Sequence, residues 1–320
     1  MEKKLTKYIP LQISTIIPSK AINFDLFIFF KEQYLLYIDS GKAIDDEKLD
    51  KLKLQKVARF YIRSQDEFNY QKYLDSILNA ALENPTADID SKVGLVEGAV
   101  GTGVEAMCED PSTAASYKIT QKAAKSLRKI IENNPNALKK IYTNVGETLS
   151  DLIKHSLNVC ALSTGLGKRL GFSEDMLDDL GTAALLHDIG ISKMKKEDRT
   201  LFIKPKKALT AGEKGVYKFH PEDSVKMLSD KPYVNPRVIE LVRAHEENNS
   251  GDGPLKKKKL DQMEAILSLC NNYDKRVSEP KSSPRTAIKD LQVEEVGNYD
   301  LELIKSFIEM LKAEGLFDKK

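Results

Sequence analysis

Apolar residues follow two different rhythms along this chain. Up to about residue 75 they gather in short runs at 11–17, 26–30, 34–38 and 57–62, separated by turn residues such as Ser40-Gly41. Short runs rich in Ile, Leu, Phe and Tyr between turn signals are strand signatures, and 45–54 reads as a short helix. Residues 1–90 are therefore expected to form a small α/β module, with 26–30 as a buried strand. Beyond Tyr70 apolar positions recur at the helical period. Breaks at Asn84-Pro85, Asn134-Pro135, Gly171 and Gly190 divide this part, and a long loop is expected over 194–209. The glycines of 97–103 match neither P-loop nor GxGxxG spacing and read as a turn or flexible helix junction. The pattern predicts a mainly α protein: a helical linker over 91–135, then an all-helical domain over 136–320.

Several helix starts are explicit in the sequence. Ser173 precedes Glu174 and Asp175, Thr210 and Glu213 have capping-box spacing, and Asn235-Pro236 opens a helix that closes at His245. Gly190 is expected to adopt the left-handed conformation that ends the helix over 177–186.

Composition narrows the function. The chain has 320 residues, 41% of them hydrophobic, and its most apolar run, 26–30, is too short to cross a bilayer. No membrane insertion is expected. The basic start lacks an apolar segment behind it, so a cytoplasmic location is expected. Three cysteines without CxxC spacing suggest neither disulfides nor a zinc ribbon. Fifty basic against 48 acidic residues leave a net charge of +2, which argues against bulk binding to DNA or an anionic membrane. Any phosphate recognition must be local, and the basic run at 256–259 reads first as a solvated turn.

The chemistry points to the histidines. All four, His155, His187, His220 and His245, fall within one stretch of about ninety residues, each at or near a predicted helix edge. Asp188 directly follows His187, and adjacent imidazole and carboxylate suit a binuclear centre because a carboxylate can bridge two ions. Asp151 lies one turn before His155 and could share its site. Asn271 and Asp274 sit three apart on one helical face, so either could approach the same metals.

Together, His155, His187-Asp188, His220-Pro221, Ala244-His245-Glu246 and Gly251-Asp252-Gly253-Pro254 resemble the HD-GYP branch of the HD metal-dependent phosphohydrolases. The resemblance runs from about 150 to 287 and includes Leu209-Thr210 before His220, and Tyr273-Asp274. It implies an all-helical bundle holding two or three metals, often iron or manganese, and hydrolysis of the bacterial second messenger cyclic di-GMP. Carried over, His155, His187 and Asp188 would hold one ion, with Asp188 bridging, and His220 and His245 the second. Asn271 or Asp274 would complete the set, with Asp188 and Glu246 as the catalytic pair.

The departures from the family cluster in the site. Ala244 stands where the family has a first histidine, Ile191 where a lysine contacts substrate phosphate, Gly253 where Gly-Tyr-Pro has tyrosine, and Asn271 where a metal-binding aspartate is usual. Substrate contacts would then fall to Lys193, Gly253, Pro254 and Lys256. These features lead to the expectation of a metal-dependent cyclic di-GMP phosphodiesterase-like signalling protein with weak activity. The alternative is a catalytically degenerate nucleotide sensor or protein-interaction module. Protein partners and an oligomer are compatible with either.

Overall fold

The computed structural model describes residues 7–143, 149–279 and 282–317. The chain divides into two compact units, with the boundary between Ser126 and Leu127. The charged start of the sequence lies outside the described residues.

In the first unit, β1 (Tyr8–Gln12), β2 (Leu26–Phe30), β3 (Gln33–Ile38) and β4 (Arg59–Arg63) form one antiparallel sheet in the order β1-β4-β2-β3. Leu11 pairs with Phe60, and Leu11, Leu26, Phe60 and Ile62 are wholly buried. Helix α1 (Asp46–Leu54) is capped by the Asp45 side chain, and α2 (Glu67–Glu83) and α3 (Ile89–Glu109) follow the sheet, with α3 packed on β1. Helix α4 (Ala114–Asn133) contains the boundary between the units.

Three expectations for this unit change. The run at 11–17 is a strand only to Gln12, because the Thr15 hydroxyl donates to the Gln12 carbonyl (2.7 Å) and turns the chain into a 3₁₀ turn. Ser and Thr compete locally with ladder hydrogen bonds in this way. The strand at 26–30 is buried only in its first half. Phe29 and Phe30 are 50% and 56% exposed because the β2–β3 hairpin runs on past the single β4 pairing at Phe27. The glycines of 97–103 lie inside α3 and make no loop. A Cβ on Gly98 would stand 2.2 Å from Ser14 Oγ, so the missing side chain permits close packing of helix on turn.

The second unit is all helical: α5 (Ala137–Thr143), α6 (Asp151–Arg169), α7 (Glu174–Leu186), α8 (Ala211–Tyr217), α9 (His220–Leu228), α10 (Pro236–Ala244), α11 (Gln262–Val277), α12 (Pro284–Glu294) and α13 (Leu301–Ala313). Helices α5 and α6 occupy most of 136–170, with 144–148 outside the described residues. The Ser173 cap, the Thr210 and Glu213 capping box and the Asn235 cap all form. A second capping box, Asp261 with Glu264, opens α11. The loop over 194–209 contains two 3₁₀ segments, Lys196–Ile203 and Lys206–Ala208.

Gly190 does not take a left-handed conformation. Helix α7 tightens after His187 into a 3₁₀ turn, Ile189–Lys193, and Gly190 is not among the described residues with positive φ. Its role is proximity: an added Cβ would lie 2.4 Å from both the His220 carbonyl oxygen and the Ser224 nitrogen. The Ser224 hydroxyl accepts from the Gly190 N–H (2.8 Å) and donates to the His187 carbonyl (2.7 Å), fixing α9 against the His-Asp pair.

Candidate metal centre

Helices α6, α7, α9, α10 and α11 bring the four histidines together, and each reaches the centre from a different helix. Sequence dictates how three of them are held. His187 and His245 follow the last residues of α7 and α10, and His220 begins α9 three residues after Tyr217 closes α8. Each donates its Nδ1–H to the carbonyl three residues earlier: His187 to Ala184 (2.7 Å), His220 to Tyr217 (2.6 Å), His245 to Val242 (2.6 Å). Those carbonyls would otherwise lack intrahelical partners. His155, within α6, donates its Nδ1–H to Asp274 Oδ2 (2.7 Å). All four Nε2 atoms are thereby left as bare lone pairs.

The four lone pairs surround one carboxylate. Asp188 Oδ2 lies 3.2 Å from His187 Nε2 and 3.6 Å from His155 Nε2, and Oδ1 lies 3.0 Å from His220 Nε2 and 3.3 Å from His245 Nε2. The His155 and His187 nitrogens are 3.2 Å apart, those of His220 and His245 2.9 Å. Neither Asp188 oxygen accepts a hydrogen bond, although the residue is wholly buried. Acceptors packed against acceptors without protons between them repel, and a buried carboxylate without donors is costly. A cation on each side of Asp188 removes both penalties. Ligands of one ion with bonds near 2.1 Å stand about 3–3.5 Å apart, which is the observed spacing. The donor set therefore fits two metals: His155, His187 and Asp188 for one, Asp188, His220 and His245 for the other.

Electrostatics agree with the ligand role. Burial pushes His245 down to about 4, so its imidazole is neutral near pH 7. Burial alone would raise the Asp188 carboxyl, but positive charge around it, from any proton the His187 and His220 rings take up in place of an ion and from Lys275, outweighs burial and holds that carboxyl well below the usual range.

The remaining expected residues divide. Asn271 joins the centre: its Oδ1 lies 3.0 Å from His155 Nε2, and its Nδ2–H donates to Glu246 Oε1 (2.9 Å), which fixes the amide with oxygen toward the histidines. Asp274 stands behind His155 and accepts from Tyr142 (3.1 Å) and Asn158 (3.0 Å) as well, so it orients a ligand. Asp151 is exposed in the first turn of α6, away from the buried centre. Glu246 is fully engaged: Oε1 also accepts from Lys275 (2.8 Å) and Tyr217 (3.0 Å), while Oε2 pairs with Lys206 (2.8 Å). Burial opposes its ionisation, but Lys206, Lys275 and His245 hold it well below the usual range.

Lys193, Pro254 and Lys256 are exposed and Gly253 is buried. A Cβ on Gly253 would lie 2.3 Å from Glu247 Oε1, so the Glu247 side chain fills the space a tyrosine there would need. That carboxylate accepts from the Leu255 and Lys257 amides (2.6 and 2.8 Å) and ties the loop down. Ile191 belongs to an apolar cluster with Leu201, Phe202, Leu209 and Tyr217, and the Phe202 ring centroid is 5.8 Å from that of His155.

Lys206, Tyr217 and Lys275 were absent from the sequence-based site. Lys275 had a readable signal, since it lies one turn beyond Asn271 on α11. Lys206 and Tyr217 come from the segment after the His-Asp pair and had none.

Comparison with known proteins agrees with this geometry. The HD domain family matches residues 113–303. A cyclic di-GMP phosphodiesterase of Pseudomonas aeruginosa is 31% identical over 169 residues, a stretch covering 51% of this chain but only 39% of that protein's length. The solved structure of an HDG"Y"P protein from Bdellovibrio bacteriovorus superposes with a TM-score of 0.72 at 26% identity, covering 96% of this chain and 100% of the other. The likeness takes in the N-terminal unit as well. An HD domain implies divalent metal binding, which the His and Asp clusters match. The chain belongs to the HD domain family, and its neighbours and motif order place its likeness with the HD-GYP type.

Proposed function

We propose that this chain is a metal-dependent phosphodiesterase-like signalling protein that holds two divalent ions, iron or manganese, and cleaves cyclic di-GMP or a related phosphodiester. Asp188 carries the reading: one buried carboxylate without a hydrogen-bond donor, faced on both sides by pairs of bare imidazole nitrogens. Bound ions would polarise the phosphodiester and acidify a water. The chain's own contribution is to aim the imidazoles, through their Nδ1–H bonds, and to hold Asp188 ionised between the two sites. The apolar cluster around Phe202 limits water at the His155 side. Phosphate contacts are assigned to Lys193 and Lys256, both exposed. The relative named as a cyclic di-GMP phosphodiesterase supports the substrate class. The N-terminal unit is assigned an input or assembly role.

Ile191 favours a second reading. A buried isoleucine in an apolar cluster occupies the place of the family's phosphate-contacting lysine, which suits a nucleotide sensor or interaction module better than an efficient enzyme. Metal analysis of anaerobically purified protein, followed by a cyclic di-GMP turnover assay on the same sample, decides between them. Two equivalents with turnover support the enzyme, and two equivalents with nucleotide binding but no turnover support the sensor. No metal after iron or manganese is supplied rejects the site.

A further inference from the structure

Glu246 stands just outside ligand distance of the second ion's nitrogens and is not free to move in. Its Oε1 is 3.9 Å from His220 Nε2 and 3.8 Å from His245 Nε2, a few tenths of an ångström beyond the separation of two ligands on one ion. The same oxygen accepts from Lys275, Asn271 and Tyr217, which exhausts its lone pairs. Lys275 is 3% exposed, also hydrogen-bonds the Tyr217 hydroxyl, and has its ammonium 5.1 Å from the centroid of that ring. A buried ammonium requires a counter-charge, and Glu246 supplies it.

We propose that Lys275 is a positioning residue that holds Glu246 out of the second ion's coordination sphere. That ion keeps only Asp188, His220 and His245 from the chain and retains open positions for water and substrate. A metal site with three protein ligands and an open position is the arrangement suited to catalysis, whereas a closed one is structural. Lys275 is thus the switch between the two. The inference rests on the two-ion reading above but tests separately from it.

The test uses full-length protein stripped of metal, with Mn²⁺ binding followed by calorimetry and Co²⁺ coordination followed by visible absorption. Wild type should take two equivalents. Lys275→Met should bind the second Mn²⁺ at least about tenfold more tightly, the scale on which neighbours of metal ligands act. Its Co²⁺ bands should weaken as coordination number rises. Lys275→Met combined with Glu246→Gln should return toward wild type, because the gain requires the freed carboxylate. Should Lys275→Met misfold, Lys275→Gln, which keeps a donor without the charge, should show a smaller tightening in the same direction. Unchanged affinity in these variants, or tightening that survives Glu246→Gln, overturns the proposal while leaving two metals in place. Wild type that binds no Mn²⁺ removes the two-ion reading and this inference with it.

Discussion

The side-chain oxygen of Asn271 lies 3.0 Å from Nε2 of His155, one acceptor against another, while the amide nitrogen is spent on Glu246. With Nδ1–H committed to Asp274, the neutral ring has no proton to place between these atoms, and a metal ion there satisfies both; an amide oxygen can ligate though it supplies no charge. Asn271→Ala is expected to weaken one of the two metal equivalents about tenfold or more. Metal analysis after dialysis checks this, and full retention of both ions would reduce Asn271 to a partner of Glu246.

Asp188 touches both clusters, so Asp188→Asn should lose both ions, whereas His245→Ala should lose one. Without metal the order of stability should reverse. An asparagine amide can donate to the Nε2 atoms that repel the carboxylate, so metal-free Asp188→Asn should be more stable than metal-free wild type by about 1–3 kcal/mol. Thermal melts with and without chelator show whether the two curves cross.

Acid should destabilise the metal-free protein before its carboxylates titrate. His245 falls from an ordinary value of 6.5 to about 4 on folding. A depressed value means that the unfolded chain takes up the proton first, so stability is complete above about 6.5 and declines as the pH falls toward 4. The loss is on the order of 3 kcal/mol. Urea melts of chelated protein from pH 7 to 4 measure it, and His245→Gln should flatten the slope.

Restoring the family's tyrosine by a single change should fail. In Gly253→Tyr the new Cβ would lie 2.3 Å from Glu247 Oε1 and 2.7 Å from Glu247 Cα, backbone that cannot swing aside. A loss of about 1–3 kcal/mol is expected from overpacking, with no gain in turnover. A stable variant with new activity would show that the loop over 251–254 is freer than its Glu247 hydrogen bonds imply.

The centre was legible in sequence to the extent that its chemistry is local. Three histidines at helix ends and an adjacent aspartate pointed to the candidate ligands, because a helix end presents its last side chains to a shared space; His155, expected at a helix edge, instead lies inside α6 and reaches the centre from its buried face. Gly190 was misread for the same reason: the spacing showed a helix stop, but the constraint is the backbone of α9, distant in sequence. Gly98 repeats the lesson, with Ser14 as the unseen neighbour. The division of labour between Asn271 and Asp274 was equally hidden, since both share a face of α11 and only the position of His155 between them separates ligand from support. Lys206 and Tyr217 reach the site through chain reversals that no periodicity records.

The Nδ1–H bonds of His187, His220 and His245 have a consequence for the life of the protein. Each imidazole closes the end of a helix through Nδ1, the ring atom opposite the one that faces the ion site, so helix closure and metal binding draw on different atoms of the same side chain. Exchange of an ion at Nε2 would therefore leave these three helix closures in place.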